Sequence, residues 1–320
     1  MTSAPFQGSV VALCGGVGGV KLALGLSRVL AADQLSVVIN TADDFEHFGL
    51  AISPDIDTVT YTLAGRVNPA TGWGLAEESW RFMAAVGQLG GETWFNLGDT
   101  DLATHAVRTA ALAAGATLTE VTARIALALG VKTPLLPATD DPIRTIVETD
   151  EGTLPFQRYF VGRRCEPVIR ALRFDYADNA RPSPEVVAAL AAQDLGAIIL
   201  CPSNPFLSID PILAIPGYRE MIARSGVPVI AISPIIGGQS IKGPLAKMMA
   251  ELGIPVDARS IAAHYDGLID VLIVDEEDAG LSVPGLEIRA AKSLMTTLAD
   301  RDRLALATLA IAREVGRKRP

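Results

Sequence analysis

The chain has 320 residues, 49% of them hydrophobic and 20% charged, and a formal net charge of −9. That length and apolar content can bury a large core, as one large α/β domain or two smaller ones. The acidic balance argues against nonspecific binding to nucleic acid or to an anionic membrane, and no apolar run reaches the length of a membrane span, because charges such as Arg108, Glu120 and Arg124 break up the alanine- and leucine-rich middle.

The opening "MTSAPFQGSV" has no basic segment followed by an apolar one, so no signal peptide is expected. "SVVALC", "VKLALGLSRVL" and "LSVVIN" then predict strand, helix and strand, an order that calls for a parallel sheet with right-handed crossovers. Between the first strand and helix lies "LCGGVGGVK", where glycines let backbone amides approach a phosphate at a helix N-terminus. Gly15, Gly16, Gly18, Gly19 and Lys21 are therefore candidate ligand contacts. The spacing is neither that of a dinucleotide fingerprint nor that of a Walker loop, and the same glycines would also serve a tight turn.

An acidic segment follows, "NTADDFEHFGLAISPDIDT". Asp43, Asp44, Asp55 and Asp57 exceed what one ribose could use, and hard oxygen ligands of this kind suit Mg²⁺ completed by water and substrate phosphate. Asp44 and Asp57 are the expected catalytic residues and metal ligands, and one of them, Asp57 by preference, could instead serve as general base. Asp55 reads instead as a first-turn acid of a helix with Ser53 as N-cap and Pro54 at its first position. Asn40 and Asp43 join the candidate substrate contacts, and His47 fits either a pocket wall or a backbone hydrogen bond.

Residues 73–176 read as an insertion over the sheet's ligand edge, with residues 1–72 and 177–320 forming the core. Its helical patterns "LAEESWRFMAAVGQLG" and "DLATHAVRTAALAAG" each end at glycine, and "DPIRTIVETDEGTLPFQRYFVG" with "PVIRALRFDY" suggests an antiparallel hairpin. In "FNLGDTDLATH", Asn96, Asp99 and His105 are candidate ligand contacts, although Asp99 and Asp101 would also serve as cap and first-turn acid of the next helix.

The strand and helix alternation returns in "LGAIILC", "GYREMIARSG", "VPVIAIS", "PLAKMMAELG" and "DVLIVDEE". The fold expected is α/β, a Rossmann-like doubly wound and mainly parallel sheet with a helical and β-hairpin insertion covering the ligand edge. Two late loops, "LCPSNPFLSIDP" and "ISPIIGGQSIKGP", leave strands at that edge and offer Ser203, Asn204, Ser233, Gly237 and Gly238 to phosphate or base. Cys14, Cys165 and Cys201 are odd in number and widely spaced, which fits inert thiols in a reducing cytoplasm. The basic end "REVGRKRP" reads as a solvated tail.

Taken together, "GGVGGVK", "NTADD", "SPDIDT", "LGDTDLATH", "LPATDDPIRTIVET", "CPSNP" and "SPIIGG" resemble the 2-phospho-L-lactate transferase family of deazaflavin coenzyme biosynthesis. The resemblance implies Mg²⁺ dependence and two substrates, the deazaflavin alcohol Fo and a guanosine diphosphate ester of a lactyl, enolpyruvyl or glyceryl group, with GMP released. It also implies that Asp57 and Asn96 contact Fo, that Asp43 and Asp44 lie near metal and diphosphate, and that "CPSNP" lies on the guanosine side. A family habit of pairing suggests a homodimer. The family pattern often carries a basic residue at Asn96 and arginine at Thr100, and this chain lacks both charges. Two other readings of the same sheet are an NAD-dependent dehydrogenase and a nucleotide-sugar-binding regulator.

Overall fold

The computed structural model describes residues 6–241 and 243–316. The chain runs β1 (Ser9–Cys14), α1 (Gly16–Val29), β2 (Leu35–Ile39), β3 (Phe45–His47), β4 (Leu50–Ile52), α2 (Pro54–Leu63), α3 (Arg81–Gln88), α4 (Asp101–Ala113) and α5 (Leu118–Ala128). It continues through β5 (Leu135–Pro137), β6 (Arg144–Thr149), β7 (Gly152–Pro155), β8 (Ile169–Asp175), α6 (Pro184–Leu190), β9 (Leu195–Leu200), α7 (Asp210–Ala214) and α8 (Tyr218–Arg224). Last come β10 (Val229–Ile232), β11 (Ile235–Ile236), β12 (Gln239–Ser240), α9 (Leu245–Glu251), α10 (Ala258–His264), β13 (Val271–Val274), β14 (Glu287–Ala290) and α11 (Leu298–Val315).

Seven strands form one parallel sheet in the order β14-β13-β10-β9-β1-β2-β5. The chain winds outward from β1 through β2 in one direction and from β9 through β10 in the other, so the topological switch lies between β1 and β9. β1 shows why these strands read as unbroken apolar runs. Val11 and Leu13 enter one core with Leu200, Val186 and Ile261, while Val10, Ala12 and Cys14 enter the opposite core with Ile39, Leu26 and Leu304. A sheet with helices on both faces buries both sets of side chains.

The expected insertion is corrected in one respect. β5 pairs in parallel with β2, Val37 opposite Leu135, so this strand from within residues 73–176 extends the main sheet. A separate antiparallel sheet, β7-β6-β8, realises the hairpin. α4 ends before Gly115 at φ +92°, the left-handed residue that terminates a helix. Arg313 to Val315 of the basic end form the last turn of α11, with Val315 buried, while residues 1–5 and 317–320 lie outside the described residues. Among the described residues no helix is long and apolar enough to cross a membrane.

Candidate active site

Parallel strands release their following loops on one edge, and the loops after β1, β9, β10 and β14 all contribute to one cavity of about 620 Å³. The glycine loop forms part of its wall. Ser203 Oγ accepts from the Gly15 amide at 3.1 Å and donates to the Gly15 carbonyl at 2.8 Å. A Cβ at Gly19 would lie 1.9 Å from that hydroxyl, and one at Gly18 would lie 2.8 Å from the Pro202 carbonyl oxygen. Close approach of the loop after β9 therefore explains Gly18 and Gly19, and φ of +61° explains Gly16. Gly15, Gly16, Gly18 and Lys21 line the cavity, whereas Gly19 and Ser203 lie behind it. Lys21 Nζ donates to the Met295 carbonyl at 3.0 Å.

Asp55 corrects its reading as a helix-start acid alone. It does stand in the first turn of α2, but it is buried against the cavity and accepts from Asn40 Nδ2 at 3.0 Å and from the Gly16 amide. That amide is thereby committed to a carboxylate and not to a phosphate. Asn40 is thus a support for Asp55, off the cavity wall. Asp43 lines the cavity beside them, with Thr145 Oγ1 donating at 3.4 Å. Burial, reinforced by the Asp55 charge, drives the Asp43 carboxyl well above its ordinary range, and burial raises Asp55 to about 6. Neither acid has a lysine or arginine partner among the described residues.

Asp44 stands off the cavity wall. Ser53, at the N-cap position of α2, does not cap that helix with its side chain but donates to Asp44 at 2.7 Å. Burial raises Asp44 to about 7, and its other oxygen has no partner.

Asp57 does line the cavity, but both of its oxygens are engaged by the guanidinium of Arg108. Arg108 is 1% exposed and also donates to the Ala51 carbonyl at 3.2 Å. His105 completes this group, with Nδ1 3.7 Å from Asp57 Oδ2 and Nε2 3.3 Å from Asp101, which itself accepts from Tyr61 at 2.5 Å. Asp101, His105 and Arg108 recur at helical spacing on one face of α4. Ligand atoms of Asp57, Asp101 and His105 fall within 4.8 Å of one another, but the guanidinium already neutralises Asp57.

The chemistry of the donor set decides which of these acids fit the expected cation. Asp44 and Asp57 do not fit as a pair, because one is off the cavity wall and the other carries its own arginine. Asp43 and Asp55 fit: they are buried, oxygen-bearing, on the wall and without a counter-charge.

Three further expectations move. Asp99 caps α3, not α4, accepting from the amides of Arg81 at 3.2 Å and Phe82 at 3.0 Å, and it is off the cavity wall. Gly237 and Gly238, at φ +53° and +73°, form the two-residue turn between β11 and β12, off the cavity wall. His47 packs against Phe48 and Trp94 outside the cavity. Asn96, Asn204 and Ser233 do line it. Sequence reading missed Arg108 and also an aromatic wall built by Trp73, Trp94, Phe95, Phe156 and Phe160; only the helical spacing of Arg108 from His105 pointed to the former.

The model of the 2-phospho-L-lactate transferase CofD family matches residues 10–312. The chain belongs to the CofD family. It is 40% identical over 317 residues to a phosphoenolpyruvate transferase of Kitasatospora aureofaciens, covering 96% of this chain and 98% of that protein. It is 39% identical over 307 residues to a 2-phospho-L-lactate transferase of Methanopyrus kandleri, covering 95% and 97%. A crystal structure of a UPF0052 family protein from Bacillus halodurans superposes with a TM-score of 0.62 over 95% of this chain and 99% of that one, at 14% identity, a likeness of fold alone.

Proposed function

We propose that the chain is a Mg²⁺-dependent transferase that moves a phospholactyl, phosphoenolpyruvyl or phosphoglyceryl group from a guanosine diphosphate ester to the ribityl hydroxyl of Fo, with release of GMP. The observation that carries this reading is the pair Asp43 and Asp55, two buried carboxylates without counter-charge beside the glycine loop, in a cavity that is also lined by aromatic rings. A flat ring system suits that aromatic wall, and a diphosphate with its cation suits the acidic end.

In the reaction the hydroxyl oxygen forms a bond to the phosphorus that carries the three-carbon group, and the bond from that phosphorus to the GMP oxygen breaks. Mg²⁺ held by Asp43 and Asp55 would supply charge neutralisation at the diphosphate. Asp57, fixed in direction by Arg108, uses its remaining lone pairs to orient the attacking hydroxyl and accept its proton. Ser203 sets the glycine loop through its paired bonds to Gly15, and Asn204, whose side chain caps the segment Pro205–Ile209, borders the guanosine side. Positioning and electrostatics dominate such a transfer.

The test is incubation with Fo, Mg²⁺ and each of the three guanosine donors, followed by mass spectrometry of the deazaflavin product and of GMP. One donor is expected to give a phosphodiester product with stoichiometric GMP. No product with any donor, together with no thermal shift from GDP, overturns the reading.

A further inference from the structure

We propose that Arg164 grips an anionic oxygen pair of the donor, a carboxylate of the three-carbon acid or a phosphate, and so deepens the transfer reading on which it rests. The cavity wall carries four carboxylates, Asp43, Asp55, Asp57 and Asp101. Among the described residues its only lysine and arginine are Lys21 and Arg164. Lys21 is held by the Met295 carbonyl. A donor with a diphosphate and a carboxyl group brings more negative charge into this acidic cavity than one divalent cation offsets, so a further positive group must meet it.

Arg164 has the freedom to do so. Its sequence neighbours Arg158 and Arg163 are tied to Glu92 and Glu151, whereas the Arg164 side chain makes no hydrogen bond or ion pair with another described residue. The backbone beneath it adds a second observation. Arg164 and Cys165 stand at φ +50° and +58°, two successive non-glycine residues in the left-handed region. The turn is imposed by bonds around it, Arg163 N to the Arg158 carbonyl at 2.8 Å, Cys165 N to the Tyr159 carbonyl at 3.0 Å and Glu166 N to the Arg163 carbonyl at 2.9 Å. Glycine would occupy position 164 at lower cost. Strain held by surrounding structure at a cavity wall is a feature that accompanies ligand contacts, and a guanidinium presents the planar fork that matches carboxylate or phosphate oxygens.

Arg164→Gly separates the binding role from a structural one. Glycine relieves the left-handed backbone, so Tm is expected to equal or exceed that of the parent, while KM for the donor rises by about 10- to 100-fold with a smaller change in kcat. Arg164→Lys, which keeps charge but not the fork, is expected to recover part of the loss. Calorimetric titration with GDP identifies the anion: weakened GDP binding in Arg164→Gly assigns a phosphate, and unchanged GDP binding with a raised donor KM assigns the carboxylate. An unchanged donor KM in Arg164→Gly, with parent activity intact, overturns the assignment and leaves the transfer reading standing. A parent that neither binds GDP nor turns over any donor overturns both.

Discussion

Arg108 and Asp57 lie 51 residues apart in sequence and form a two-pronged ion pair whose side chains are 1% and 8% exposed. Each carries the opposite charge that offsets the other's burial away from water. Removing one member of such a pair strands a buried charge, at about 3 to 5 kcal/mol.

The first prediction follows directly. Asp57→Asn and Arg108→Met each lose about 3 to 5 kcal/mol in urea unfolding, while the double variant loses much less than the sum because no charge is stranded. Transfer activity does not return in the double variant, since Asp57 is still absent. Additive losses would show that the pair contributes no coupling.

A second prediction concerns the metal. Excess EDTA abolishes transfer, and Mg²⁺ raises the Tm of the parent. Asp43→Asn and Asp55→Asn lose that rise. In metal-free protein Asp43→Asn is expected to be more stable than the parent, since burial and the Asp55 charge oppose ionisation of Asp43 in the fold. A full Mg²⁺ shift retained in both variants, measured by differential scanning fluorimetry, removes these acids from the metal site.

The clamp between Ser203 and Gly15 gives a third. Gly19→Ala places a methyl group against the Ser203 hydroxyl and costs about 1 to 3 kcal/mol. Ser203→Ala in that background recovers part of the stability but leaves a raised donor KM, because the Gly15 bonds are gone. Steady-state kinetics beside thermal melts tests both halves.

Asp99 supplies a contrast. As a cap of α3 away from the cavity, Asp99→Ala is expected to lower Tm slightly and leave both substrate KM values unchanged. A large rise in KM for Fo would restore Asp99 to the site.

The sheet was legible because its strands, buried on both faces, leave unmistakable apolar runs, as in β1 and β9. The placement of the glycine loop and of Asp43 on one cavity was legible for a related reason: they follow β1 and β2 at a common edge, and Asp57 reaches the same cavity from the first turn of α2. Asp55 and Asp57 could not be distinguished from local pattern, since both are first-turn acids of α2 and differ only in what faces them from Asn40 and from Arg108. β5 was hidden by its brevity, three residues after a long helical stretch. Arg108 was hidden by the ordinary expectation that an arginine on an alanine-rich helix faces solvent.

The N-termini of α3 and α4 are capped crosswise: Asp99 serves α3, and Glu78 accepts from the amides of Thr100 and Asp101 at the start of α4. Each carboxylate sits on the far side of the connection from the helix it serves, so the two helices are buckled together like a belt through its own loop. Lengthening the segment between residues 78 and 99 would unfasten both ends at once, which makes this exposed stretch a poor place to insert a tag despite its position on the surface.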